Sequence, residues 1–403
     1  MNKDLIWYGP PFSYSGYAQH NRAMLFELQR LGWNIFLTPT EEHIPSGLAG
    51  KDLLTAMVNK PGCDTKKTIS LNLIPPPSMP FYSAYTILFT TIESLTVHEG
   101  FLSRICQFDE VWVPCQANFN SLLKAGYPKK KLFVVPEGVY TENFKPFVAP
   151  MPEYTSDKFT FFYHGDWSFR KGVDILIRAY AKAFSRTDNV RLIMLTHYQG
   201  GDSKLSKTII PMEVRFICKK YGLTELPKIE FIFDYIEDAD LPSLYSCTDV
   251  YVAPTRGEAW GLPICQAMSC GKPAIVTGWG GQLDFCNNKN GFICDIDKFD
   301  IMDDKCQLNV DFYKLQKFPF CDVDHFAELM RYCYENREVV KEKGKKARKT
   351  IEESFTWANA AKIADRRLRA IYESNTYNAN VQSSKLDERI DKDVIKGFAS
   401  RYL

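Results

Sequence analysis

The chain has 403 residues, 45% hydrophobic and 24% charged, with 28 Phe and 21 Tyr. That excludes a disordered or low-complexity protein and leaves room for two or three domains, each with its own core. Fifty basic side chains against 48 acidic ones give a formal charge of +2, without the basic surplus of a protein built to grip nucleic acid.

Residues 1–9 are too short and polar for a signal peptide, and no apolar run approaches the roughly 18 residues that span a bilayer. Twelve cysteines stand singly in apolar patterns, without a Cys-x-x-Cys pair or an Asn-x-Ser/Thr sequon. They read as reduced, buried thiols of a cytoplasmic protein, not as disulfides or zinc ligands.

Apolar runs alternate with helical patterns along the chain. A strand at Leu5–Tyr8 is followed by the loop Gly9–Gly16, a helix over about Tyr17–Leu31 that stops at Gly32, and a strand at Asn34–Pro39. Strands follow at Ser70–Ile74, Thr86–Thr90, Glu110–Val113 and Leu132–Val135. This rhythm predicts a parallel sheet covered by helices. Pro150 and Pro152 interrupt it, and it then restarts. Strands are predicted at Phe159–Tyr163, Arg191–Leu195, Ile229–Phe233, Asp249–Ala253 and Pro273–Thr277, with helices at Gly172–Phe184 and Leu262–Cys270. Two doubly wound halves fit better than one large sheet. From Asp324 the pattern is helical. The lysine-rich stretch Glu335–Lys349 reads as a solvated face, Trp357–Tyr372 as a final amphipathic helix, and 376–403 as a polar tail or appended helix.

Two stretches carry chemistry. In Pro254-Thr255-Arg256-Gly257-Glu258-Ala259-Trp260-Gly261-Leu262-Pro263, a strand ends in a glycine-bearing loop and a helix begins. Unpaired amides at such a helix start attract anions, Pro263 is tolerated in the first turn, and Gly261 lets a phosphate approach the backbone. Glu258 precedes that opening and Gln266 follows one turn into the helix, both placed to reach hydroxyls of a ligand whose phosphates lie on the amides. In Phe161-Phe162-Tyr163-His164-Gly165-Asp166-Trp167-Ser168-Phe169-Arg170-Lys171-Gly172, another strand–loop–helix ends on adjacent cations. Arg170 suits a diphosphate as a bidentate fork and Lys171 as a point charge. Alone, the first stretch is an ordinary turn and the second a solvated pair. Together they suggest an anion site.

Gly165-x5-Lys171-Gly172, the Glu258-x7-Gln266 spacing with Gly261-Leu262-Pro263, and Gly278-Trp279-Gly280-Gly281 resemble the retaining GT-B glycosyltransferases of family four (glycosyltransferase group 1). So do Asp109–Pro114 and Val135-Pro136-Glu137-Gly138-Val139-Tyr140 with Phe144-Lys145-Pro146. The ordered match runs from Gly9 to about Trp357.

The resemblance implies an α/β GT-B fold of two Rossmann-like doubly wound domains facing a central cleft. Residues 1–152 would form the acceptor domain, with helix 356–375 packing back onto it, and 153–355 the nucleotide-sugar donor domain. By the same carry-over, Arg170 and Lys171 would bind the donor diphosphate and Glu258 the sugar hydroxyls. Backbone at Gly261 and Leu262 would meet the phosphate and Gln266 the ribose, while His164 and Asp166 belong to the donor loop. Tyr235 and Ile236 would lie by the base. Gly16 and Tyr17 would face donor and acceptor from the other domain, where Glu93 is the catalytic candidate, slightly preferred to His98. Two departures stand out: the family's second Glu is Gln266 here, and its usual Arg after the strand glycine is Asp166.

The implied activity is metal-independent transfer of a hexosyl or related unit from a nucleotide sugar, a co-substrate, to an acceptor hydroxyl, with no cofactor. The acceptor would be a glycan, lipid, small molecule or nucleic acid. The alternatives are a nucleotide-sugar epimerase of the same architecture, a sugar-nucleotide module of weak catalysis, and a metal-dependent GT-A enzyme. The last would use one of the Asp-x-Asp triplets Asp238–Asp240, Asp295–Asp297 or Asp322–Asp324.

Overall fold

The computed structural model describes residues 3–378 except 46, 59, 76–77, 199–200, 302–312, 314 and 375; most of the tail 376–403 and Cys306 lie outside the described residues. The first half runs β1 (Asp4–Gly9), α1 (Gly16–Arg30), β2 (Asn34–Pro39), α2 (Lys51–Val58), β3 (Ile69–Leu73), β4 (Tyr85–Phe89), α3 (Glu99–Ile105), β5 (Glu110–Val113), α4 (Gln116–Lys124) and β6 (Leu132–Val134). Its six strands form one sheet in the order β2-β1-β3-β4-β5-β6, every pair parallel.

The second half runs β7 (Phe159–His164), α5 (Val173–Ala183), β8 (Val190–Leu195), α6 (Ser203–Tyr221), β9 (Ile229–Ile232), α7 (Leu241–Ser246), β10 (Val250–Ala253), α8 (Leu262–Ser269), β11 (Ala274–Thr277) and β12 (Phe292–Cys294). These strands form a second parallel sheet, β12-β11-β10-β7-β8-β9. An antiparallel pair, β13 (Ile296–Ile301) with β14 (Lys317–Cys321), and helices α9 (Val323–Glu335), α10 (Arg337–Ser354) and α11 (Trp357–Tyr372) complete the described chain.

The strands are apolar runs because both faces of each sheet are covered. Every residue of β3, β4 and β8 is buried. Helices then bury one stripe each, as α5 does with Ile175, Leu176, Ala179 and Tyr180. The lysine-rich α10 behaves as expected: Val340, Gly344, Ala347 and Ile351 face inward, and Lys341 and Lys345 pair with Glu338 and Glu342 on the wet side.

After α10 the chain crosses to the first sheet. The Val139 amide donates to the Phe355 carbonyl at 3.1 Å, and Arg348 donates to the carbonyls of Thr141, Phe144 and Ser269. Thr356 caps α11, which then packs along α1; Trp33 donates to Asp365 at 2.8 Å and Arg367 pairs with the buried Glu110. None of the described helices is long and apolar enough to cross a membrane.

Strand order locates the ligand crevice. In an open parallel sheet it opens at the carboxyl ends of the strands where the order reverses. That point lies between β1 and β3 in the first sheet and between β7 and β10 in the second. The loops after β7 and β10 are the two chemistry-bearing stretches of the sequence.

Candidate active site

A cleft of about 510 Å³ opens between the two sheets. From the second half come His164, Gly165, Asp166, Arg170 and Lys171 after β7, Tyr235 and Ile236 after β9, and Glu258 to Pro263 with Gln266 after β10. From the first half come Gly16 and Tyr17 at the start of α1, and Glu93 after β4. All the site residues named from the sequence except the second-choice His98 thus line this one cavity. The His98 imidazole instead accepts from the Gly100 amide at 3.1 Å and caps α3 in solvent. A His directly before a helix is recruited by the unpaired amides there.

The two donor-side loops lie 87 residues apart in sequence and are knitted through the backbone. The Arg256 amide donates to the Arg170 carbonyl at 2.7 Å, and the Arg170 guanidinium to the Gly257 carbonyl at 2.7 Å. Arg256 is clamped by both oxygens of Asp174 and stacked on Phe169. The glycine motif beyond β11 braces the same loop. Gly281 donates to the Glu258 carbonyl at 2.9 Å, and a Cβ at Gly281 would stand 1.9 Å from the Ala259 carbonyl oxygen. Gly261, the residue before α8, holds φ at +98°, in the left-handed region that favours glycine. Gly261, Leu262 and Pro263 line the cleft where α8 begins, with Pro263 in the first turn.

Charge is concentrated across the cavity. Arg170 pairs with Glu93 of the facing half at 2.8 Å, and Lys171 pairs with Glu258 at 2.5 Å. Burial works against the Arg170 charge, but Glu93, then Tyr313 and Glu258, more than offset it and raise its pKa. Tyr313 also hydrogen-bonds the second Glu93 oxygen. Both cations are therefore ordered before any ligand arrives, each on a carboxylate that an anionic ligand would replace.

His164 is pulled down to about 4, first by burial and then by the charges of His197 and Lys171, so it is neutral at pH 7. Its Nδ1 finds no hydrogen-bond partner among the described residues. Burial raises the Tyr17 phenol, whose OH lies 2.7 Å from the Thr91 hydroxyl. Gln266 is 4% exposed; its carbonyl oxygen accepts from Tyr245 at 3.2 Å, and its amide donates to Gln19 across the cleft at 3.5 Å. Asp166 is exposed at the rim.

Sequence reasoning missed several lining residues. His20 and Gln19 stand on the cleft face of α1, Glu137 faces His20 with 3.5 Å between Nδ1 and Oε1, and Asp238 meets Gln19 and Arg22 across the mouth. Tyr14 packs on Tyr235 there, ring centroids 4.4 Å apart. A signal existed for His20, one turn after Gly16 on the same helix face. Glu137 belongs to a stretch that carries the family resemblance, but nothing local in sequence points it at the cleft.

The Asp-x-Asp triplets are dispersed. Asp322 caps α9, Asp295 pairs with His325, and Asp238 meets Gln19 at the mouth. Among the described residues no group of three or more His, Cys, Asp or Glu stands together to hold a metal ion.

Residues 151–303 match the family model of glycosyl transferases group 1. Mannosylfructose-phosphate synthase of Agrobacterium fabrum is 26% identical over 189 residues, 46% of this chain and 40% of that protein. D-inositol 3-phosphate glycosyltransferase of Salinispora arenicola is 31% identical over 113 residues, 28% of this chain and 24% of that protein. The chain thus spans less than half the length of these curated relatives. Among solved structures, a glycosyltransferase from Rickettsia africae superposes with a TM-score of 0.63 at 16% identity, over 93% of this chain and 100% of that one. Anabaena HepE in complex with UDP-glucose gives 0.62 at 14% identity, over 91% and 99%. The chain therefore carries a glycosyl transferases group 1 domain over residues 151–303, within the two-domain GT-B fold of its structural neighbours.

Proposed function

We propose that the protein is a glycosyltransferase that takes a sugar from a nucleotide-sugar donor and passes it, with retention and without a metal ion, to an acceptor hydroxyl. One observation carries this reading. Arg170 and Lys171, the start of α8 at Gly261–Pro263, and the carboxylates of Glu93 and Glu258 all line one cavity between two Rossmann-like sheets. The named relatives and the UDP-glucose complex of a structural neighbour support the donor class.

In this reading the donor diphosphate lies on Arg170, Lys171 and the α8 amides, displacing Glu93 and Glu258 from the two cations. Glu258, freed from Lys171, accepts from donor-sugar hydroxyls; Gln266 lies by the ribose, and Tyr235 and Ile236 by the base. The anomeric C–O bond breaks toward the diphosphate, whose new negative charge the cations and amides stabilise. The acceptor oxygen bonds to the anomeric carbon on the same face, and its proton passes to the leaving phosphate oxygen. Residues 1–152, with the helix that returns to them, present the acceptor. Gly16, Tyr17 and Glu93 face it.

A thermal-shift screen against UDP-, GDP- and ADP-sugars tests the donor. At a hundred times its Kd the correct one stabilises the fold by about 2.7 kcal/mol. No shift with any of them sinks the reading, and an isomerised donor formed without acceptor turns it into an epimerase.

A further inference from the structure

Helix α6 is apolar on two faces, and the fold covers one. Ser206, Ile210 and Ile217 are buried against the second domain. About 120° around the helix, Leu205, Met212 and Phe216 fall within some 40° of one another and stand 40%, 55% and 65% exposed. A helix apolar on both sides is normally enclosed on both. This one leaves a ridge of three large side chains exposed; one of them, Phe216, also lines, with Lys220, a cavity of about 1070 Å³.

The ridge is lined with positive charge. α6 holds Lys204, Lys207, Arg215, Lys219 and Lys220 against the single carboxylate of Glu213, a net +4 in one helix of a chain whose total is +2. Lys207 is paired with Asp234, and Glu213 accepts from Trp167. Lys204, Arg215, Lys219 and Lys220 have no ion pair among the described residues. On the helical wheel they flank the ridge, with Lys204, Arg215 and Lys219 on one side and Lys220 on the other.

We propose that α6 docks the protein on an anionic lipid bilayer, with Leu205, Met212 and Phe216 inserted at the headgroup boundary and the flanking cations on lipid phosphates. Apolar side chains between cations is the pattern of a helix lying in a membrane surface, where long basic side chains reach up to the phosphates. Juxtaposed cations add attraction to an anionic leaflet, each contributing cumulatively. A second copy of the chain fits worse, because pairing this ridge with itself brings the same cations face to face. α6 also starts at the cleft rim: Ser203 and Lys207 both hold Asp234, and the next residue, Tyr235, lines the cavity. Docking would bring the cleft mouth close to the bilayer.

Co-sedimentation of the full chain with vesicles of phosphatidylcholine, with and without phosphatidylserine, tests this. Binding is expected only with phosphatidylserine and weakens steeply with salt. Met212→Ser/Phe216→Ser should weaken it at least about tenfold, and Lys219→Glu/Lys220→Glu should remove the lipid dependence. All four positions are exposed, so unchanged melting temperatures would show that the variants fold. A chain that stays in solution with both vesicles overturns the proposal, as does binding that both variants leave intact. So does concentration-dependent dimerisation abolished by the serine pair, since the ridge would then serve a second copy. The nucleotide-sugar thermal shift, which α6 does not enter, is read on the same variants, so failure here is distinct from failure of the transferase reading.

Discussion

On one side of the cleft, the lining residues come from strand–helix junctions of a single sheet, and hydrogen bonds to main-chain carbonyls join them: the Arg256 amide to Arg170, the Arg170 guanidinium to Gly257, the Gly281 amide to Glu258. On the other side they come from scattered places, the first turns of α1, the loop after β4 and the segment just before Val139. They are held mainly by side chains, as in His20 to Glu137 and Tyr17 to Thr91. In the proposed reading the first wall is the anion seat, tied together largely through main-chain carbonyls. The second is assembled by packing, so its side chains respond to what lies opposite. Glu93 illustrates this: it is placed by Arg170 and Tyr313 across the gap.

The sharpest way to break that contrast is to remove the cations. Arg170→Ala or Lys171→Ala should lower kcat by about 10²–10³ with the fold retained, as expected for one lost donor to the leaving group. Rates near wild type with a saturating donor would dissolve the anion seat. Across the cleft, Glu93→Gln should slow transfer about tenfold, yet leave nucleoside diphosphate binding equal or tighter in calorimetry, because it releases Arg170. Weaker diphosphate binding in that variant would make Glu93 part of the seat and erase the distinction between the walls.

A third measurement follows pH. With His164 held near 4 in the fold and near 6.5 unfolded, the unfolded chain binds the extra proton between those values. Stability should therefore be level above about pH 6.5 and fall as pH drops toward 4. In His164→Asn the fall over that window should be smaller, as read from urea midpoints; an unchanged slope would assign it to other groups. The smallest effect is expected for Gln266→Glu. A carboxylate keeps the acceptor for Tyr245 and offers charge assistance to a ribose, so donor affinity should change by no more than about 1 kcal/mol. A large loss by calorimetry would remove Gln266 from the ribose site.

Most of the framework was legible beforehand. Predicted and observed strands agree to within about a residue or two at Asn34–Pro39, Glu110–Val113, Phe159–His164 and Val190–Leu195. Strands buried on both faces are written as apolar runs bounded by turns. Helix α6 escaped because its two apolar faces and the internal Pro211 blur a single helical stripe. The pair β13 and β14 escaped because neither strand keeps a strict apolar–polar alternation: β13 puts Asp297 beside Lys298, and β14 carries Pro319 in its middle. In the site, the donor wall was readable since each motif is contiguous, a strand end, a glycine and a charged pair. His20, Gln19, Glu137 and Asp238 were not, since a polar residue in mid-helix or loop looks the same whether it meets solvent or a cleft.

By itself, the sequence determined two parallel sheets and the ends of the strands that carry charge, because burial and turn chemistry act over a few residues at a time. The near-zero net charge also hid a local concentration, and the sequence located its cations at Arg170 and Lys171. Only tertiary structure decided that Arg170 finds Glu93 and Lys171 finds Glu258, and that His98 caps a helix while His20 lines the cleft. Those outcomes depend on strand order and on the crossing of the chain at Thr356. They bring residues more than seventy positions apart within hydrogen-bond reach, a distance over which no local pattern carries information.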